Sequence, residues 1–392
     1  MISLNHLPLP GIAQRHYDGI TAWAFKKRLE PIFKLYDELV RHQNEANFPK
    51  KDLENLNVKL SEKQKNDIIG TLSVLFGNKN ELLGGYRVIK FIHENWKDIL
   101  TGMPERLLEL SHDIEILLAH HRYTDAGGNA ASKKEFQPIF AWIDYIFDYD
   151  PKFIKKENDK GHWDAYRLAE ALQADVCPYC NRQYTNTVIY SDKSKNPVTF
   201  DKIIRPEFDH FFSQADFPYL ALSFYNLVPS CKVCNSSLKG RKKMDLKKNI
   251  HPYLGGYHDL IRFRTGIDLQ DFLKTTDMEV PIQMKTVVQP SNHLTRAETT
   301  RELFKLEEIY KIHSEIAREI FKKMTDNSKE YLQKALVESP NGSRLFEDEH
   351  QLYRHFVGNY SLERDFHRRP LAKFQHDIAE ETGLLQFIQA LK

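Results

Sequence analysis

Three runs of the chain decide how it is read: CPYCNRQYT (177–185), FDHFF (208–212) and YNLVPSCKVCNSSLKGRKK (225–243). They hold all four cysteines, as the pairs Cys177/Cys180 and Cys231/Cys234. A Cys-x-x-Cys turn puts two thiolates where one metal ion can take both. Two such turns complete a tetrahedral site, so the set predicts a structural zinc with no cysteine left over. Fifty residues lie between Cys180 and Cys231. The ion therefore closes a long loop and holds whatever lies within it from both ends.

Within that loop, Asp209 and His210 follow the β-leaning run TFDKIIRPEF (199–208), and Asn226 precedes a second short strand at Leu227-Val228. Just past the last cysteine, Asn235 opens a short helix with Lys239 on its next turn. A hard dication such as Mg²⁺ or Mn²⁺ takes oxygen ligands and keeps its waters, so Asp209 and Asn235 are the expected ligands of a second, catalytic cation. His210 has the chemistry of a general base, and Asn226 is the expected group to orient its ring. From Lys232 to Lys248 there are seven basic residues and one acidic. Lys239, Arg241, Lys242 and Lys243 are therefore expected to contact phosphate. His251 either faces this site or packs on Tyr253.

The pattern CxxC … DHF … PY … NLVPSCxxCNxxxK … HPY resembles the HNH endonuclease family, and more narrowly the HNH nucleases of Septu-type and retron-associated anti-phage defence systems. It is carried by Cys177, Cys180, Asp209, His210, Pro218-Tyr219, Asn226, Cys231, Cys234, Asn235, Lys239 and His251-Pro252-Tyr253. It covers roughly residues 170–320, including RAETTRELFKLEEIYKIH (296–313). The resemblance implies a ββα-metal core and metal-dependent cleavage of DNA, or in some members RNA. It also implies an ATPase partner in a defence complex. Asn235 stands where many members carry His, which favours Mg²⁺ or Mn²⁺ over a nitrogen-seeking metal.

The rest of the chain frames this module. The expected fold is mainly α with a small α+β unit: helical residues 1–162, the nuclease core at 163–257 and helical residues 258–392. Ser61 to Gln64 has capping-box spacing, Pro104 and Pro138 suit first turns, and 124–135 reads as a loop. The helix through Ile139–Phe147 is expected to end at Asp150-Pro151. Leu303, Leu306, Tyr310, Ala317, Ile320 and Met324 read as one helical stripe.

At 392 residues, 41% hydrophobic and 28% charged, the composition is that of an ordinary globular protein, and a net charge of +2 confines any anion-binding field to local patches. No secretory leader or membrane span is evident, so a cytoplasmic location is expected. The tract DFHRRPLAKFQH (365–376) is a candidate second nucleic-acid contact. Two alternatives stay open: the same chemistry on structured RNA such as tRNA, and a zinc-stabilised nucleic-acid-binding module without turnover.

Overall fold

The computed structural model describes residues 1–58, 60–119, 122–124, 130–132, 137–154, 163–192, 194, 199–274, 279–326 and 346–390. Most of them are helical. The strands are short and form four antiparallel pairs: β1 (Arg122–Thr124) with β2 (Ala130–Ser132), β3 (Val188–Asp192) with β4 (Thr199–Ile204), β5 (Glu207–His210) with β6 (Leu227–Ser230), and β7 (Ile261–Arg264) with β8 (Gln283–Thr286). Most buried apolar residues from Met1 to Ile388 form one continuous core, with Ile2, Phe366 and Ala372 in a small cluster of their own. The helical flanks expected from sequence thus share that core with the cysteine module.

Local chemistry explains the helix starts. Ser61 and Gln64 make the reciprocal capping box at the head of helix Glu62–Phe76. Asp164 caps helix Ala165–Leu172 by accepting from the N–H groups of Tyr166 and Arg167. Its other oxygen takes the buried ammonium of Lys202, which ties this helix to β4.

The structure departs from the expected elements in four places. Residues 124–135, expected as loop, include Thr124 and the whole of β2, and the segment between the paired strands lies outside the described residues. The chain does not break at Asp150-Pro151. It turns through a π-helix, Tyr149–Ile154, in which proline sits early enough to lose no needed hydrogen bond. The stripe from Leu303 to Met324 runs over three helices: Asn292–Leu303, Leu306–Tyr310 and Ser314–Asp326. Lys305, at φ +47°, breaks the first join, and a 3₁₀ turn at Lys311–His313 makes the second. Finally, β7 and β8 interrupt a region expected to be helical throughout.

The N-terminal helices grip one short segment of the cysteine module. Helix Leu9–Ile20 packs Gly19 directly on Trp163, where a Cβ would clash at 2.2 Å. On the same helix, His16 is fully buried. Its Nδ1 accepts from Trp163 Nε1 at 3.0 Å, which leaves Nε2–H to donate to the Leu222 carbonyl at 2.7 Å. Ser223 Oγ donates to Ile99 O, and Tyr219 Oη to Ser111 O and Glu115. Residues 219–223 are thus held from outside by helices Leu9–Ile20, Trp96–Thr101 and Pro104–Leu118.

The Asp164–Lys202 pair gives a stability test. Asp164→Ala removes a helix cap and the carboxylate of a buried ion pair, and should cost about 3–5 kcal/mol in chemical denaturation. A loss below about 1 kcal/mol would mean that the pair is solvated.

Candidate metal centre and adjoining cleft

The two cysteine turns meet. Cys177, Cys180, Cys231 and Cys234 are all buried, and their sulfurs lie within 4.8 Å of one another. Backbone N–H groups turn in on the sulfurs, from Arg182 to Cys180 and from Cys234 to Cys231, each at 3.4 Å. Asn181 adopts φ +51° to let the first turn close, and Tyr310 Oη donates to the Cys180 carbonyl at 2.6 Å. Burial pushes the Cys177 thiol up, while hydrogen bonding from it pulls Cys231 and Cys180 down. Four sulfurs cannot all ionise in such a space without a cation, and with one they can. This donor set could hold a metal ion such as zinc.

Each cysteine turn also delivers a side chain to Asp209. Tyr179, inside the first turn, donates its hydroxyl to Oδ2 at 2.7 Å. Lys239 ends the π-helix Val233–Lys239 that follows the second turn, and places its ammonium 2.5 Å from Oδ1 and 2.6 Å from the His210 carbonyl. Asp209 is 1% exposed and Lys239 5%. Lys239, expected as a phosphate contact, is instead the buried counter-ion of Asp209. Helical spacing from Cys234 turns it inward rather than toward solvent.

Asp209 and His210 are neighbours on β5, and both line one cleft. The His210 Nε2–H donates to the Ala221 carbonyl at 3.0 Å. That bond fixes the tautomer and leaves the Nδ1 lone pair, which no described residue takes, on the wall of a cleft of about 1000 Å³. Burial lowers the His210 pKa below its ordinary value of 6.5, which keeps the ring neutral near pH 7. Tyr149 packs edge-on against it, 4.5 Å between centroids, and burial holds this phenol protonated.

The Asn226 carboxamide makes no hydrogen bond to His210, contrary to expectation. Its Oδ1 accepts from Phe212 N–H at 2.7 Å, and its Nδ2 donates to Phe212 O and Leu220 O at 3.1 and 3.0 Å. Asn226 therefore cinches the loop from Phe212 to Leu220, and the next residue, Ala221, presents the carbonyl that His210 uses. The carboxamide acts on the histidine through that backbone. The adjacent carbonyls of Ala221 and Leu222 are taken by His210 from the cleft side and by His16 from the helical side.

Asn235 borders the same cleft and donates Nδ2 to Glu207 at 2.9 Å. A carboxylate only accepts, so the amide nitrogen must face Glu207 and Oδ1 is turned away from it. Gly240, at φ +52°, ends the π-helix in a conformation that suits glycine and brings Arg241, Lys242 and Lys243 onto the rim, all exposed. Lys243 pairs there with Asp216 at 2.8 Å, and Asp144 also lines the cleft. His251 packs instead on Phe211 and Tyr253, fully buried. Sequence reading misses Tyr149, Tyr179 and His16. Only Tyr179 carries a signal, its place between two cysteines.

Compared with known proteins, the chain matches no family model, no curated protein and no solved structure.

Cys231→Ser should lose bound metal and cooperative thermal unfolding together, because metal affinity is folding free energy here. A variant as soluble, cooperative and metal-loaded as the parent would show that the four sulfurs are not one site.

Proposed function

We propose that this chain is a metal-dependent endonuclease of HNH type that hydrolyses phosphodiester bonds of DNA, with a structural zinc in the four-cysteine site. One observation carries the reading: His210 has one ring nitrogen fixed on a backbone carbonyl and the other open to a basic-rimmed cleft, beside a buried carboxylate. Supporting it is the order β5, β6, π-helix, which brings Asp209, His210 and Asn235 to one cleft as a ββα-metal unit would.

In this mechanism His210 Nδ1 takes a proton from a water as its oxygen attacks phosphorus. The bond from phosphorus to the leaving sugar oxygen breaks, solvent protonates that oxygen, and His210 returns its proton to solvent. Arg241, Lys242 and Lys243 hold the flanking phosphates, and Tyr149 confines the imidazole to the cleft wall. Tyr179 and Lys239 fix the Asp209 carboxylate, each taking one of its roughly four lone-pair directions. The remaining lone pairs and Asn235 Oδ1 would hold Mg²⁺ or Mn²⁺, which supplies charge stabilisation at the reacting phosphate. Because Lys239 already neutralises Asp209, such an ion gains from the added negative charge of substrate phosphate. Membership of an anti-phage defence system with an ATPase partner rests on the sequence resemblance alone.

Purified protein incubated with plasmid, linear DNA and total RNA, with Mg²⁺, Mn²⁺ or a chelator, tests the reading. Metal-dependent cutting of DNA is expected, falling on the order of 10²–10⁴-fold in His210→Ala and His210→Gln while metal content and unfolding stay unchanged. Since the base works only when neutral, activity should be full above its pKa and fall as pH drops through it, with the midpoint below 6.5. Cutting that survives both variants would sink the assignment, and cutting confined to RNA would change the substrate.

A further inference from the structure

The tract 365–376 is basic in sequence, but the structure sorts its residues. His367 is buried against His6 at 3.1 Å, and Lys373 is buried on Asp377 at 2.6 Å. Arg368 and Arg369 stay exposed, and Arg354, at the end of helix Glu349–Val357, joins them. All three guanidinium groups converge on one ring, lying 4.4 Å (Arg354), 5.6 Å (Arg368) and 5.5 Å (Arg369) from the centroid of Tyr360.

The frame beneath them is built. Buried Asn359 donates to Pro370 O at 2.8 Å and Gln375 at 2.6 Å. Arg369 donates to Gly358 O at 2.9 Å, and Asn181 of the first cysteine turn bonds the 366–373 backbone. Three like charges gathered this closely repel one another, and the face of one tyrosine offsets only part of that. Among the described residues a single carboxylate forms an ion pair with them, Asp365 on Arg368 at 3.3 Å, while Asp175 acts on Arg368 through its charge at longer range. Glu170 and Asp175 line the hollow beside Arg368 without an ion pair to it.

We propose that Arg354, Arg368 and Arg369, held around Tyr360, form a second binding surface for a nucleic-acid phosphodiester backbone. None of the four lines the cleft that contains His210. Planar guanidinium forks match phosphate oxygens, and heads that remain exposed suit a string of phosphates crossing a surface better than one enclosed anion. The choice of nucleic acid among polyanions rests on the reading of the cleft. Substrate is then gripped at two places, and duplexes too short to reach both bind less well.

The test uses the full chain with His210→Ala as a non-cutting background, with and without R354Q/R368Q/R369Q, and follows anisotropy of a labelled DNA duplex over a range of salt. Removing three phosphate contacts should flatten the slope of log affinity against log salt by roughly two to three, and weaken binding at low salt on the order of tenfold to a hundredfold. Matched thermal unfolding shows that the glutamines leave the fold intact. Unchanged affinity and slope would overturn the proposal, as would weakened capture of an acidic protein with duplex binding untouched. The two readings fail separately. A parent that cuts through His210 while the arginines prove silent loses only this surface. A parent that never cuts but needs the arginines to bind duplex loses only the cleft.

Discussion

Four buried sulfurs within 4.8 Å of one another are the constraint on which the rest depends. Burial opposes thiolate, yet thiolate is the form that binds metal, and one dication resolves the conflict. The turns that carry the sulfurs are the same turns that carry Tyr179 and, one short helix later, Lys239. Closing the cluster therefore sets both oxygens of Asp209 at once. Asp209 and His210 are neighbours on β5, so the same closure sets the strand from which the imidazole projects.

A second clamp works from the opposite side. The Ala221 carbonyl is useful to His210 only if it stays put, and it lies in an irregular segment with no strand to hold it. Asn226 ties that segment to Phe212 from within, while His16, Ser223 and Tyr219 tie it to the helices from without. Burial lowers the His16 pKa to about 4, so the ring stays neutral and donates one hydrogen bond to Leu222. The N-terminal helices are thereby part of what positions the cleft rather than an appendage to it.

What can be read from the sequence follows from the range of the interactions involved. The cysteine cluster is legible because its chemistry is local: two residues between thiols, twice. The capping box at Ser61–Gln64 is likewise short-range. Spacing assigns Lys239 and Asn226 to the wrong partners, because it gives a residue's place on an element but not which way a crowded side chain turns. His16 and Tyr149 reach the Leu222 carbonyl and the His210 ring from segments far off in the chain, so no local pattern could name them.

Metal content with thiol reactivity tests the central claim most directly. The purified chain should carry one zinc per molecule, and its four cysteines should resist a thiol reagent until a strong chelator strips the ion, then react together. A metal-free folded protein whose thiols react freely, or are joined as disulfides, would contradict the account.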